Sequence, residues 1–436
     1  MTSDGALQKA RGARAVQASA DTVSAPAGRV LMLVENNPYP QDCRIRLEAR
    51  ALADAGYQVT VISPALRAQL WRETIDGVRV YRYPAPRGGS GLIGFLLEYG
   101  YSTLAIFILS MLVCVREGFD VIHAANPPDT LVFIAAGYKL LGKRFVYDHH
   151  DLCPELYQAR LVGGGNRVLH GVLLMLEKLS LRYADQVITT NQSYKALAIE
   201  RGGVPAERIT IVRNGPEVNG QQLVEPVPRL RQTGRIIIGY VGVMGFQDGL
   251  DYLLRALHHL IYGLGRTNVL CVLIGGFGPA QSSLKQLTKE LRLDDHVRFT
   301  GYVSDVDLLR YIASADICVD PDPSNPFNDR STMIKMLEYM ARSKPIVAFD
   351  LPEHRFTAQA AAVYVRPNDE LEFARALALL MDDPERRQAM GVFGRRRIET
   401  ELAWHYSAQN LVDAYRRLGS TAAVTEAAGV APNGIA

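Results

Sequence analysis

Two successive series of apolar strands and intervening helices, separated by one polar linker, constrain this chain more than any other feature. Arg29–Glu35 (RVLMLVE) is a continuous apolar run, as a parallel strand needs when both its faces are covered. A helix is expected over Asp42–Ala55, ended by Gly56, and a second strand over Gln58–Ser63. Val78–Tyr83, Val121–His123, Arg144–Tyr147 and Gln186–Thr189 read as further strands. After the Pro-rich stretch Glu217–Arg235 the pattern restarts, with strands at Ile236–Val241, Val269–Ile274, Val297–Thr300, Ile317–Val319 and Pro345–Phe349. Helices are expected at Leu250–Tyr262 and Gln281–Leu291. The reading is α/β: two doubly wound domains with an interdomain cleft, where the carboxyl ends of the strands face each other and open sheets bind ligands.

Composition narrows the chemistry. Lysine and arginine total 48 against 45 acids, a net charge of +3, too balanced for a chain that coats nucleic acid. The five cysteines (Cys43, Cys114, Cys153, Cys271, Cys318) never form a C-x-x-C pair, which argues against a disulfide scaffold and a cysteine-built zinc site and fits a reducing compartment. A dinucleotide dehydrogenase is opposed by Asn36-Asn37-Pro38-Tyr39-Pro40 after the first strand, where G-x-G-x-x-G would stand. Gly242-Val243-Met244-Gly245 and Gly275-Gly276-Phe277-Gly278 are mis-spaced for that fingerprint. They suit tight turns whose N–H groups approach a phosphate, or plain strand-to-helix turns. From Tyr99 to Val115 the chain has 17 uncharged residues within the apolar run 92–115, at the lower edge of a membrane span. Strands on either side weigh against spanning and leave two readings. One is a helix buried all round; the other is a helix lying in the membrane interface, with Arg72, Arg79, Arg82 and Arg87 meeting anionic lipid.

The densest local signal is Asn328–Asp350 (NDRSTMIKMLEYMARSKPIVAFD). Asp329 or Ser331 can cap a helix running to about Arg342, on which Ser331, Lys335 and Glu338 fall within about 60° of one another. Arg330, Lys335 and the helix start make an anion site, and Glu338 one turn deeper can accept bonds from a vicinal diol. A solvated Lys–Glu pair is the plainer alternative. Asp42, Arg44 and Arg46 at the start of the first helix are acceptor-binding candidates, with a surface salt bridge as their alternative.

This segment resembles the donor-site motif of retaining family 4 glycosyltransferases of the GT-B fold, which is built of two Rossmann-like domains. Ala184–Thr189, Asn214-Gly215-Pro216, Gly301-Tyr302-Val303 and Ala315-Asp316 extend the likeness. Asn36–Arg50, Asn126-Pro127-Pro128-Asp129 and Asp148-His149-His150-Asp151-Leu152 resemble the subgroup that builds bacterial surface polysaccharides. The resemblance covers about Arg29–Leu418. It implies transfer of a sugar from a nucleotide sugar, UDP-linked by preference, with retention of configuration and without a metal or other cofactor. The acceptor is expected to be a polyprenyl-linked or other glycan at the cytoplasmic membrane face. Glu338 matches the second glutamate of an E-x7-E motif and would hold the ribose. His150 stands at the active-site histidine, Asp151 completes the His-Asp pair, and His149 competes for the same role. Gly245, Gly276, Arg330 and Ser331 are expected at the donor, and Asp320-Pro321-Asp322 is read as a turn, not a metal site. The leaving diphosphate oxygen would take the acceptor's proton, so no protein base is assigned. The implied partition is a disordered tail over 1–27, an acceptor-side domain over 28–218, a nucleotide-sugar domain over 219–402, a closing helix over 403–418 and a second disordered tail over 419–436.

Three positions depart from the pattern. Arg330 replaces the first glutamate, and the usual Arg and Lys after the first strand of the second domain are missing from Gly242–Gly249. Arg330 and Lys335 are expected to replace that charge. Two other classes stay open: a catalytically inactive nucleotide-sugar-binding partner subunit, and a sugar-nucleotide epimerase of the same fold.

Overall fold

The computed structural model describes residues 27–86, 91–160, 165–218, 224–276 and 278–429. The tail expected over 1–27, apart from its last residue, and residues 430–436 lie outside the described residues, as does Arg87. Eight strands form the first sheet: β1 (Arg29–Leu33), β2 (Gln58–Ala65), β3 (Arg72–Ile75), β4 (Val78–Pro84), β5 (Val121–Ala125), β6 (Arg144–His149), β7 (Gln186–Thr189) and β8 (Ile209–Ile211). Their order is β3-β4-β2-β1-β5-β6-β7-β8, and only β3 runs antiparallel to its neighbour. Six parallel strands form the second sheet: β9 (Ile236–Val241), β10 (Val269–Ile274), β11 (Val297–Phe299), β12 (Ile317–Asp320), β13 (Ile346–Phe349) and β14 (Ala362–Val365), in the order β11-β10-β9-β12-β13-β14.

The uninterrupted apolar runs are explained by burial on both faces. In β1, Leu31 and Leu33 pack with Ile122 and Phe145 on one side of the sheet, while Val30 and Met32 pack with Val59 and Ile188 on the other. Strand order reverses between β1 and β5, and again between β9 and β12. Ligand crevices of open sheets form beyond such reversals. The loops there begin at Asn36 and Asn126 in the first domain and at Gly242 and Pro321 in the second.

The helix Trp404–Gly429 leaves the second domain and lies on the first, where Trp404, Leu411, Tyr415 and Leu418 pack with Val30 and Met32. It runs beyond the Leu418 boundary expected from sequence. The added stretch is alanine-rich, and extending an existing helix avoids the cost of nucleating one. Outgoing and returning chain touch: the Trp404 N–H donates to the Pro216 carbonyl (3.0 Å), and a Cβ on Gly215 would stand 2.3 Å from the Leu402 carbonyl oxygen. Side chains join the domains as well. Asn191 Nδ2 donates to the Arg330 carbonyl (2.8 Å) and to Thr332 (3.0 Å), and Ser193 Oγ donates to Glu353 (2.7 Å).

The apolar run forms one helix, Gly91–Arg116, and it is not buried all round. Ser102, Ile106, Ser110 and Val113 face the core, while Leu97, Leu104, Phe107, Ile108, Met111 and Val115 make an exposed stripe at helical spacing. Two of the upstream arginines stay partly exposed beside a carboxylate, and a third is buried. Arg72 and Arg79 pair with Glu117 (3.1 and 2.8 Å), and Arg82 is buried against Glu73 and the Tyr39 carbonyl.

Candidate functional site

At the first reversal, β6 ends in Asp148 and His149 and the chain turns at His150 and Asp151. Asn126 fixes this turn, because its Oδ1 accepts from the N–H groups of His150 (2.9 Å) and Asp151 (3.1 Å) while its Nδ2 donates to the Asp151 carbonyl (2.7 Å). The two histidines then point apart. His149 is fully buried against Glu177 (3.0 Å) and stacks on Tyr147, whereas the His150 side chain stays 16% exposed. His150 Nδ1 meets Asp148 Oδ2 at 2.9 Å. Burial disfavours the imidazolium, but the Asp148 carboxylate outweighs it and raises the His150 pKa.

Behind His150 lies a buried ionic cluster. The Arg44 guanidinium grips Asp148 through two bonds (2.8 and 2.6 Å), pairs with Glu48 (2.9 Å), and donates to the Val212 carbonyl and Asn214 Oδ1. Despite burial, Arg44 and His150 hold Asp148 well below the carboxylate range, while burial pushes Glu48 up to about 7. Arg44 is therefore no acceptor ligand: every face of its fork is engaged inside the protein. Asp42 caps the helix Cys43–Asp54 by accepting from the Ile45 N–H (3.0 Å), and Arg46 is half-buried over the Pro40 carbonyl (3.4 Å).

At the second reversal the expected helix over 329–342 is shorter, spanning Ile334–Ala341. Turns precede it, because Asn325 Oδ1 accepts from the N–H groups of Phe327 and Asn328 and ties them to local partners. Ser331 is buried there, donating to the Phe327 carbonyl (2.8 Å) and meeting the Tyr194 hydroxyl (3.0 Å), so its side chain joins the domains and caps no helix. Glu338 is partly exposed and paired with Arg342 (2.8 Å). Its charge reaches Cys43 in the first domain, whose thiol is raised by burial and, more weakly, by Glu338 and Asp42. Arg330 donates to the Pro326 carbonyl (2.7 Å) and makes no ion pair among the described residues.

Lys335 departs from its expected role. Its ammonium lies over the Tyr240 ring (5.0 Å) between Asp322 (2.6 Å) and Asp320 (3.2 Å), all buried. Burial and Asp320 raise Asp322 well above the carboxylate range, while Lys335 and His354 hold Asp320 down despite its burial. The cation is neutralised before any phosphate arrives. The glycine turns divide similarly. The Gly245 N–H donates to Asp248 Oδ2 (2.8 Å) inside its own turn, while at Gly276 a Cβ would come no nearer than 3.7 Å to Tyr302. Gly275, at φ +144°, could carry no side chain, since a Cβ would lie 2.0 Å from the Gly242 carbonyl oxygen.

Residues 44–215 match the family model of a glycosyl transferase 4-like domain, and residues 235–383 match that of glycosyl transferases group 1. The chain belongs to the GT-B glycosyltransferases. An uncharacterized glycosyltransferase of Methanocaldococcus jannaschii is 24% identical over 394 residues, covering 84% of this chain and 92% of its own. The 2-deoxystreptamine glucosyltransferase of Streptomyces kanamyceticus is 24% identical over 391 residues, covering 85% and 97%. Among solved structures, sucrose-phosphate synthase from Thermosynechococcus elongatus superposes with a TM-score of 0.74 at 21% identity, covering 90% of this chain and all of that one. Anabaena HepE in complex with UDP-glucose gives 0.65 at 17%, covering 89% and 100%.

One cleft cation and one buried acid of this glycosyltransferase were not found from sequence. Arg160, on the helix Cys153–Arg160, reaches Asp151 on its own domain and Asp248 on the other electrostatically, and makes no ion pair among the described residues. Nothing in the sequence separates it from an ordinary helix-end arginine. Glu35 closes β1's apolar run, accepts from Ser102 (3.0 Å), and is pushed by burial up to about 7. Its place in an apolar strand was the available signal.

The Lys335 arrangement has a measurable consequence. Lys335→Met should lower stability by only about 1–3 kcal/mol, the usual cost of an orphaned buried polar group. Asp322 is already raised well above the carboxylate range, so Asp320 is the carboxylate that takes up a proton when the ammonium is gone. Urea unfolding checks this, and a several-fold loss of nucleotide affinity without loss of stability would restore Lys335 to phosphate binding.

Proposed function

We propose that the chain transfers a sugar, with retention of configuration, from a nucleotide sugar (UDP-linked by preference) to a lipid-linked glycan acceptor in cell-surface polysaccharide synthesis, as a peripheral protein at the inner membrane face. The observation that carries this reading is that Glu338 of the second domain reaches Cys43 of the first electrostatically, while His150 stands partly exposed after β6 and an apolar helix stripe of the same domain is left open. Glu338 would release Arg342 to hold the ribose hydroxyls. Arg330 is the cleft cation left available to the diphosphate, in place of Lys335. No metal is required where such groups and backbone N–H donors meet the developing charge. In the reaction the bond from the anomeric carbon to the phosphate oxygen breaks as a bond to the acceptor oxygen forms on the same face. The acceptor's proton passes to the departing phosphate oxygen.

Thermal unfolding in UDP, GDP, ADP and dTDP, each with and without EDTA, tests the donor. A ligand at 100 times its Kd adds about 2.7 kcal/mol of stability. We expect UDP to raise Tm equally with and without EDTA, and a flat response to all four would overturn the reading. Radiolabelled UDP-sugars then separate the classes, since an inactive partner subunit binds donor without slow hydrolysis and an epimerase interconverts donors without acceptor. Glu338→Gln should weaken UDP binding by about 10- to 100-fold, the worth of one hydrogen bond to a charged group, as titration calorimetry would report.

A further inference from the structure

Beside His150 the first domain contains a groove of about 690 Å³, within the roughly 300–1,000 Å³ typical of ligand sites. Its walls come from the helices Gly91–Arg116, Leu131–Leu140, Cys153–Arg160 and Arg167–Tyr183, with Leu104, Phe107, Phe133, Ile134, Val172 and Leu173 among the apolar lining. The inner end reaches Asn36 after β1, Pro127 after β5 and Asp151 after β6, and Arg160, whose charge reaches Asp151, stands in the wall. Asp129 also borders the groove, but its carboxylate accepts from the Tyr147 hydroxyl and turns inward. At the outer end, Leu104 (58% exposed) and Phe107 (41%) belong to the open stripe that continues through Ile108, Met111 and Val115. Contiguous exposed apolar surface of this kind marks a binding surface more often than chance exposure.

We propose that this groove holds the hydrocarbon chain of a lipid phosphate acceptor, with Arg160 meeting the phosphate where the chain ends. The proposal rests on the lipid-linked acceptor read above and names where that lipid lies. The lining selects the occupant: an apolar stripe open to solvent, apolar walls, and one cation whose charge reaches Asp151 beside His150. A long chain with an anion at one end and a glycan beyond it matches that lining. A second copy of the protein or an apolar peptide would cover the stripe without needing a cation at the inner end. Arg160 also faces Asp248, so a phosphate placed there lies between the two domains.

The test is direct binding, measured by titration calorimetry on the whole chain with dodecyl phosphate, hexyl phosphate, dodecanol and inorganic phosphate below their aggregation limits. Each buried methylene is worth about fourfold in affinity, so burying even two of the six that distinguish them makes dodecyl phosphate bind more than tenfold tighter than hexyl phosphate, and burying all six about 10³-fold or more, with inorganic phosphate not measurably bound. Val172→Glu and Phe133→Glu alter wall residues that are 40% and 57% exposed, positions that tolerate a charge without unfolding. Each should weaken dodecyl phosphate at least tenfold. Arg160→Ala should weaken dodecyl phosphate and leave dodecanol unchanged. Affinity independent of chain length, or wall variants that bind as tightly as the parent, would overturn the proposal. So would a dimer, seen by light scattering, that the lipid fails to dissociate. None of these measurements requires a donor. A protein that binds dodecyl phosphate but no nucleotide keeps the groove and loses the transferase reading; one that binds UDP but no lipid does the reverse.

Discussion

Replacing Arg44 by methionine will destabilise the protein by about 3–5 kcal/mol, the cost of breaking a buried ion pair from one side. The guanidinium holds two buried carboxylates, Asp148 and Glu48, which the buried His123 ring also approaches at 3.9 and 3.4 Å but without the two-bond grip. Arg44→Lys will recover only part of the loss, because a point charge cannot replace a fork that binds Asp148 through two bonds. The pH dependence supplies the sign. In the parent protein Asp148 titrates below its unfolded value, so its contribution is present above about pH 4 and is lost on acidification through the lower folded pKa. Glu48, raised to about 7 in the parent, already makes stability fall as pH rises from about 4.5 to 7. Without Arg44 it binds its proton more tightly still, so the variant's stability will go on falling above pH 7, and urea titrations at several pH values will show it. A variant with the parent's pH profile would mean that Arg44 is not the partner that opposes protonation of Glu48.

His150→Ala will lower turnover by about 10²–10³-fold, the usual cost of deleting one donor aimed at developing charge, with little change in UDP affinity. Asp148 favours the charged imidazole and holds its Nδ1 inward, leaving the other ring nitrogen for the cleft. Because the folded pKa is raised, the charged form persists above the ordinary histidine value of about 6.5. Activity should fall on the alkaline side of that value. Any stability contributed by the pair is complete below about pH 6.5 and lost as pH rises through the folded pKa. Equal loss of kcat and UDP affinity would instead make His150 a donor-binding group, and an unchanged kcat would remove it from the reaction.

Much of the fold was legible because both sheets are covered on both faces, which makes their central strands read as unbroken apolar runs. β3, β8 and β14 were missed. They are short strands at the sheet edges, and β3 alternates exposed and half-buried residues without an apolar run. In the site, His150 and Glu338 could be located from their motifs, since adjacency and spacing survive in a linear string. Charge balance could not. Arg44 finds Asp148 across 104 positions, and the carboxylates that neutralise Lys335 lie beyond a loop of turns. A sequence displays a cation but not the anion folded against it, so both residues looked available to a ligand. Arg160 was overlooked for the converse reason, since an unpaired cation in a cleft reads like any surface arginine.

The contact between Gly215-Pro216 and Leu402–Trp404 works as a clasp. The backbone passes from one domain to the other and back, and both passages meet there. The bonds from Asn191, Ser193 and Tyr194 to the second domain fasten the two bodies again at a second place, and two fastenings fix the setting of one cleft face against the other. A side chain at Gly215 would meet the Leu402 carbonyl and prise the passages apart while leaving each face intact.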